Sequence, residues 1–374
     1  MLKAFAANLE NWENSESNNI NLINMKTKKF TSVTTILTFA LILFGCNDST
    51  GPTFTNNGGN ALAGAYILYY SPATSTDYAY YDAVKDSVTD FVFTSNNPGV
   101  KLNVNPGEMK LNSDRKLYIT TRGIPGDNGT IYKIDPVSNS IEDSLRYGTA
   151  PYGFAINNNR IIVGNSGSTN LTVLDLDFNI IKDTIEVGSN PANVLYGFNK
   201  YIVTRNTLNN EPSAAFVDES NYAVAKLFYP AVPAGAIYNV NGIFISTNLN
   251  SKIYRVDPGS ITTIDSFAVP SMFSGIGKLV FRTQNSFYVI VSVNEVWLAT
   301  VNTGTISFTK IFATLGNEYI RNAAYEQNAN ELYFISETNP QGAILYVIDG
   351  NNGNVKRTKT LSGINFQSIV FRYF

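Results

Sequence analysis

The chain has 374 residues, 44% hydrophobic and 13% aromatic, with 15% charged and a formal net charge of −2. It contains no histidine and a single cysteine, Cys46, which excludes a Ser-His-Asp relay, a histidine-held transition metal, an intrachain disulfide and a cysteine zinc site. No run of Lys and Arg occurs beyond the N-terminal segment, so there is no electrostatic footprint for nucleic acid.

Residues 1–24 are acidic and Asn-rich, unlike any export signal, and are read as a mis-assigned leader, with translation expected to begin at Met25. Residues 25–45 carry Lys26, Lys28 and Lys29 ahead of an apolar stretch from Thr31 to Phe44. A basic head and an apolar core too short for a comfortable membrane span describe a secretory signal. Leu43-Phe44-Gly45-Cys46 resembles the lipobox of bacterial lipoproteins, which implies that Cys46 is lipidated and becomes the first mature residue, so that acyl chains supply the membrane contact. Asn47 after the cysteine favours the outer membrane, facing either the periplasm or the outside. Residues 46–61, small, polar and Gly-rich, form a flexible tether.

Residues 62–374 show short runs of β-branched and aromatic residues separated by Gly, Asn, Pro and Asp every eight to twelve positions. No window holds a helical period, so an all-β body is predicted. Aligning "RYGTAPYGFAI", "EVGSNPANVLY" and "YPAVPAGAIY" places Pro151, Pro191 and Pro233 in one column, joined by Pro106 and, with aromatic residues in place of proline, by Phe273, Tyr319 and Phe366. The spacing is close to 43 residues, the span of a four-stranded propeller blade. A second column, Asp at 82, 135, 175, 218, 257 and 349 with only Thr300 departing, confirms seven units.

Each unit reads as an entry strand, a strand such as "KLYITT" or "RIIVGN", a strand ending at the column Asp, and an outer strand such as "IIKDTIEVG". The C-terminal "FQSIVFRYF" is an entry strand with nothing after it, and residues 65–92 hold three later strands with no entry strand before them. The two ends are therefore expected to share one blade, closing the ring and removing the exposed edge of an open array. The prediction is a seven-bladed β-propeller in which blade 1 joins both ends and blades 2 to 7 follow in chain order.

Blade 3 carries the fullest unit: Pro151-Tyr152-Gly153, Ile162-Val163-Gly164-Asn165, Val173-Leu174-Asp175 and Glu186-Val187-Gly188. It resembles the YVTN-repeat propellers, YncE-like and surface-layer-type proteins, although no blade carries YVTN intact. The resemblance implies binding or scaffold roles, including surface lipoproteins that capture vitamin B12 for an outer-membrane transporter, and surface-layer components.

The column aspartates are read as turn formers that accept their own downstream backbone N–H groups. "GDNGT" at 126–130 and "DGNNGN" at 349–354 lack the calcium-loop register and fall at hairpin turns, so no metal is assigned. The single Trp297 of the mature chain argues against a quinone-cofactor dehydrogenase, and no cofactor is implied.

Two residues beyond the first column stand Glu108, Gly153, Asn193, Gly235, Gly275, Arg321 and Ser368. Glu108 and Arg321 are expected to face each other at the channel mouth as an ion pair, with a polar ligand clamp as the alternative. Phe273, Tyr319 and Phe366 would form an aromatic arc, either anchors for a ligand or rings filling a proline's place. Tyr69, Tyr70, Arg122, Tyr152, Asn165, Arg205, Asn206, Asn248 and Glu337 are assigned to the same face. The expected function is a non-catalytic envelope module that recognises a small molecule, glycan or protein at this face. A carboxylate- or metal-dependent propeller hydrolase or lyase is the alternative.

Overall fold

The computed structural model describes residues 61–374 except 125–126, 206–212, 249, 272–274, 292–293, 315–317 and 339–341. Cys46, Asn206, Phe273, the leader, the signal and all but the last residue of the tether lie outside the described residues.

Seven four-stranded antiparallel sheets follow one another. Blade 2 is typical: Pro106–Leu111 innermost, then Leu117–Thr121, Asn128–Ile134 and Ile141–Thr149 outermost. The burial gradient explains the order. Second strands such as Leu117–Thr121 are buried throughout, whereas the outer strand Ile180–Glu186 of blade 3, which carries Lys182, Asp183, Thr184 and Glu186, is exposed except at Ile185. The inner strands of successive blades pack side by side around the axis. The protein is a seven-bladed β-propeller.

The ring closes by strand sharing. Blade 1 has the C-terminal Ile364–Tyr373 innermost, followed by Leu62–Ser71, Ser75–Asp82 and Ser87–Thr89. Leu68 faces Ser368 and Ile67 faces Ile369 across the seam. The outermost strand of this blade is only three residues long and is followed by a short helix, Val92–Asn96, which the sequence reading did not anticipate. Its Phe93 is fully buried. Asp77, also buried, accepts the backbone N–H groups of Tyr78 (2.8 Å) and Phe93 (3.0 Å) and so fixes the helix to the blade.

On one face, the column aspartates set the turns between third and outer strands. Asp135 Oδ1 accepts N–H bonds from Val137 (2.7 Å) and Ser138 (3.0 Å), and Asp257 does the same with Gly259 (3.0 Å) and Ser260 (2.6 Å). The opposite face carries the connections that lead into each inner strand.

Candidate functional site

The pairing of the inner strands settles the register of the first column. Each inner strand is interrupted by a β-bulge just after its start, a device that re-aims side chains. Beyond the bulge, Met109, Phe154, Val194, Ala236, Leu279, Ala323 and Ile369 pair with equivalent positions of their second strands. Counting back three residues gives Pro106, Pro151, Pro191, Pro233, Ile276, Ile320 and Phe366. The alignment by sequence was therefore displaced by three residues in blade 6 and by one in blade 7. Residues in the left-handed region immediately before the column mark the same register: Asn105, Ala150, Asn190, Gly275 and Asn365.

With this correction, the residues two beyond the column are Glu108, Gly153, Asn193, Gly235, Lys278, Asn322 and Ser368. They form a belt around the axis in which each blade touches the next. Ser368 Oγ accepts the Met109 N–H (2.9 Å), and Glu108 Oε2 accepts the Phe154 N–H (2.9 Å). Asn193 Nδ2 donates to the Ala234 carbonyl (3.1 Å), Lys278 Nζ to Asn322 Oδ1 (2.7 Å), and Asn322 Nδ2 to the Gln367 carbonyl. The two glycines sit where neighbours approach closely. A Cβ on Gly153 would lie 2.2 Å from the Ala192 carbonyl oxygen, whereas on Gly235 its nearest neighbour would be the Leu279 nitrogen at 3.4 Å.

Charge enters this belt at opposite sides. Glu108 of blade 2 bonds Lys110 Nζ (2.7 Å), and both side chains keep about a third of their surface, 30% and 32%. Lys110 also lies over the Phe154 ring, 5.4 Å from its centroid. Lys278, in blade 6, stands three blades away in one direction and four in the other, across the axis. Lys278 is half-buried, and desolvation among its neighbours lowers its ammonium to about 8, against the raising effect of Glu108 and reinforced by Lys110. Lys278 was missed in the sequence because the misplaced column put Gly275 in its position.

Above the belt, Tyr152 of blade 3 reaches blade 1 to bond Gln367 Oε1 (2.8 Å), and Arg122 lies over the Tyr152 ring at 5.2 Å. A Cβ on Gly107 would meet Thr120 Oγ1 at 2.5 Å and the Tyr152 carbonyl oxygen at 2.9 Å, so glycine lets the backbones of blades 2 and 3 approach closely here. Burial, opposed by Arg122, pushes the Tyr152 phenol up, keeping it a hydrogen-bond donor at neutral pH.

Several assigned residues do other work. Arg321 does not pair with Glu108: as the bulge residue of blade 7 it bonds Glu337 Oε2 (2.7 Å) and lies over the Tyr319 ring, 5.6 Å from its centroid. Tyr319 is exposed beside it, one residue before the column. Phe366 does occupy the column but is 2% exposed and packs on Tyr69, so the ring fills the wedge a proline fills elsewhere, and the aromatic arc dissolves. Arg205 is buried at 2% exposure, with Nε on the Ser189 carbonyl (3.1 Å) and a terminal nitrogen on Ser213. Asn165 is equally enclosed and donates to Asn170 and Thr172. Neither Arg205 nor Asn165 is available to a ligand. Glu108, Asn193, Tyr152 and Arg122 are brought together around the axis. Among the described residues, no three acidic or cysteine side chains gather closely enough to hold a metal ion.

A ring of seven antiparallel blades with polar side chains converging on its axis defines a propeller with an axial site. No sequence-family model matches the chain, nor does any curated protein by sequence. Solved structures do match in fold. A periplasmic gluconolactonase from Pseudomonas aeruginosa aligns with a TM-score of 0.65 at 13% identity, over 83% of this chain and 99% of its own. A protein from Lactobacillus plantarum aligns at 0.66 and 14% identity, over 83% and 100%. A putative 6-phosphogluconolactonase from Bacteroides fragilis aligns at 0.61 and 12% identity, over 83% and 98%. Such low identity establishes the fold alone. The expectation that the body is not an enzyme is nevertheless overturned, because lactonases stand among its fold relatives over nearly their whole length.

Proposed function

We propose that the protein is a propeller hydrolase that opens a small polyhydroxylated lactone at the axial belt. The observation that carries this reading is Lys278 facing the Glu108–Lys110 pair across the axis. An amine whose proton leaves near pH 8 suits a general base at neutral pH. Neutral Lys278 takes a proton from the attacking water as the new C–O bond forms at the lactone carbonyl. The ring C–O bond then breaks, and the Lys278 ammonium returns the proton to the leaving alkoxide. Glu108, held by the Phe154 N–H and Lys110, accepts substrate hydroxyls and orients the ring, while Lys110 offsets charge developing on oxygen. The likeness in fold to a gluconolactonase and a putative 6-phosphogluconolactonase supports the choice of substrate class.

We place this activity at the cell envelope, on a lipid carried by Cys46, because the basic, apolar and lipobox-like segments lie in the order export requires. Metabolic labelling with a fatty acid tests the anchor: label lost in a Cys46→Ser variant supports it, and label retained there overturns it. For the activity, the full chain is assayed with glucono-δ-lactone and its 6-phosphate against spontaneous hydrolysis. Acceleration that falls about a hundredfold or more in Lys278→Met supports the reading. No acceleration with either lactone, or acceleration that Lys278→Met leaves intact, overturns it.

A further inference from the structure

The face opposite the mouth carries a cleft of about 610 Å³ between blades 3 and 4, within the range of small-ligand sites. Its walls are the turn between the first two strands of blade 3 (Asn157 to Arg160), the equivalent turn of blade 4 at Asn199, and the outer turn of blade 4 from Asp218 to Ser220. At its centre Glu219 is fixed by two donors: Asn157 Nδ2 reaches Oε1 at 2.6 Å and Tyr196 Oη reaches Oε2 at 2.5 Å. Burial and then the Glu219 carboxylate push the Tyr196 phenol up, so it stays a donor and holds that carboxylate in place. Two donors leave the carboxylate, which lines the cleft, with further capacity to accept.

Around this acceptor stand unused donors. The Asn158 and Asn159 side chains are exposed and bond to no described residue. The Arg160 guanidinium has one 3.3 Å contact with Tyr222 Oη and, among the described residues, no carboxylate within 4 Å. Tyr222, whose ring packs against the core of blades 3 and 4, supports Arg160 from behind the cleft lining. Charge is balanced: Asp218 caps its own turn and lies 3.5 Å from Lys200, and Glu219 offsets Arg160. A near-neutral cleft that presents planar amides, a fixed carboxylate and a guanidinium matches the needs of hydroxyl groups, which donate and accept at once.

We infer that this cleft binds a neutral oligosaccharide, as a site separate from the axial belt. Isothermal titration of the full chain with maltohexaose, xylohexaose, mannohexaose and cellohexaose, and with an oligogalacturonate as the acidic counterpart, tests it. Binding of at least one neutral probe, weakened about tenfold or more in the Asn159→Ala/Arg160→Met double variant and unchanged in Lys278→Met, is the expected result. Asn158→Gly, which keeps the left-handed backbone at that position (φ 51°), should weaken it too while leaving the fold intact. The inference is overturned if no neutral probe binds at millimolar concentration, if only the acidic probe binds, if the double variant binds as the parent does, or if Lys278→Met abolishes binding. The lactonase reading stands or falls separately, since the cleft variants should hydrolyse lactone at the parent rate.

Discussion

Blades 2 to 5 place a proline just ahead of the inner-strand bulge, and blades 6, 7 and 1 place Ile276, Ile320 and Phe366 there. All seven residues are buried in the same slot. The slot asks only for an apolar body that tolerates a bulge directly after it, so identity drifts there without structural cost. Two residues further on the blades diverge in chemistry: blades 3 and 5 place glycine, blade 4 an amide, blade 2 a carboxylate and blade 6 an amine. The position that identifies the repeat is therefore indifferent to function, and the position that differs between blades holds the candidate chemistry.

The largest expected effect follows from blade 6. Because enclosure lowers the Lys278 ammonium to about 8, its basic form grows as pH rises through that value, and kcat/KM for lactone should climb from neutral pH to a plateau above about 8. Lys278→Met should remove about two orders of magnitude together with that rise. The same substitution should raise thermal stability at pH 7. A lysine depressed in the folded state binds fewer protons than when unfolded, so its burial penalty is fully present below about 8 and is relieved only as pH climbs from there towards the ordinary lysine value. A variant that loses activity while becoming more stable would separate a functional lysine from a structural one. A flat pH profile in the parent would remove blade 6 from the comparison.

Next in size is the slot itself. Phe366→Ala should cost about 3–5 kcal/mol in denaturant unfolding, since a fully packed ring is lost where the two chain ends meet. Ile276→Pro, which copies blades 2 to 5, should cost less than about 1 kcal/mol. A severe loss there would show that the corrected register is wrong. At the belt, Gly153→Ala should cost about 1–3 kcal/mol because its methyl meets the Ala192 carbonyl, whereas Gly235→Ala meets only ordinary contacts and should be nearly silent.

The seven blades, their strand order and the shared closing blade were legible because each rests on a pattern repeated along the chain, and the column aspartates did what such residues do at turns. The belt was half legible. Where proline anchored the alignment, Glu108 and Asn193 were found. Where it gives way to isoleucine, the nearby rings Phe273 and Tyr319 mimic the column in the sequence and mask Lys278 and Asn322. A subtler signal was present: Asn105, Asn190, Gly275 and Asn365 precede the column and adopt a left-handed backbone, which Asn and Gly accept most readily. Reading Asn-Pro, Gly-Ile and Asn-Phe as one motif sets the register of blade 6, whereas blade 7, with Tyr319 before Ile320, carries no such mark. The burial of Arg205 and Asn165 had no such signal, because only the folded packing shows that the loop-facing end of a second strand is covered.

The smallest expected effect uses a column that runs through both groups of blades and fails only at Thr300 of blade 6. Hydrogen bonds at the turns hold these aspartates below the usual carboxylate range: Asp257 chiefly through the Ser260 N–H, Asp349 through the Asn351 N–H, and Asp135, at about 2, through Lys116 and then the Ser138 and Val137 N–H groups. A carboxyl depressed in the folded state contributes stability that is fully present above its unfolded value of 3.8 and is lost as pH falls through the folded value. Hydrogen exchange followed from about pH 5 down towards pH 2, corrected for intrinsic rates, should show the amides of Val137, Ser138, Gly259, Ser260 and Asn351 losing protection below about 4. The turn of blade 6 after Thr300 has no carboxyl to protonate and should keep its protection over the same interval. Uniform loss across all seven turns would mean that acid opens the ring as a whole, with no separate contribution from the aspartate caps.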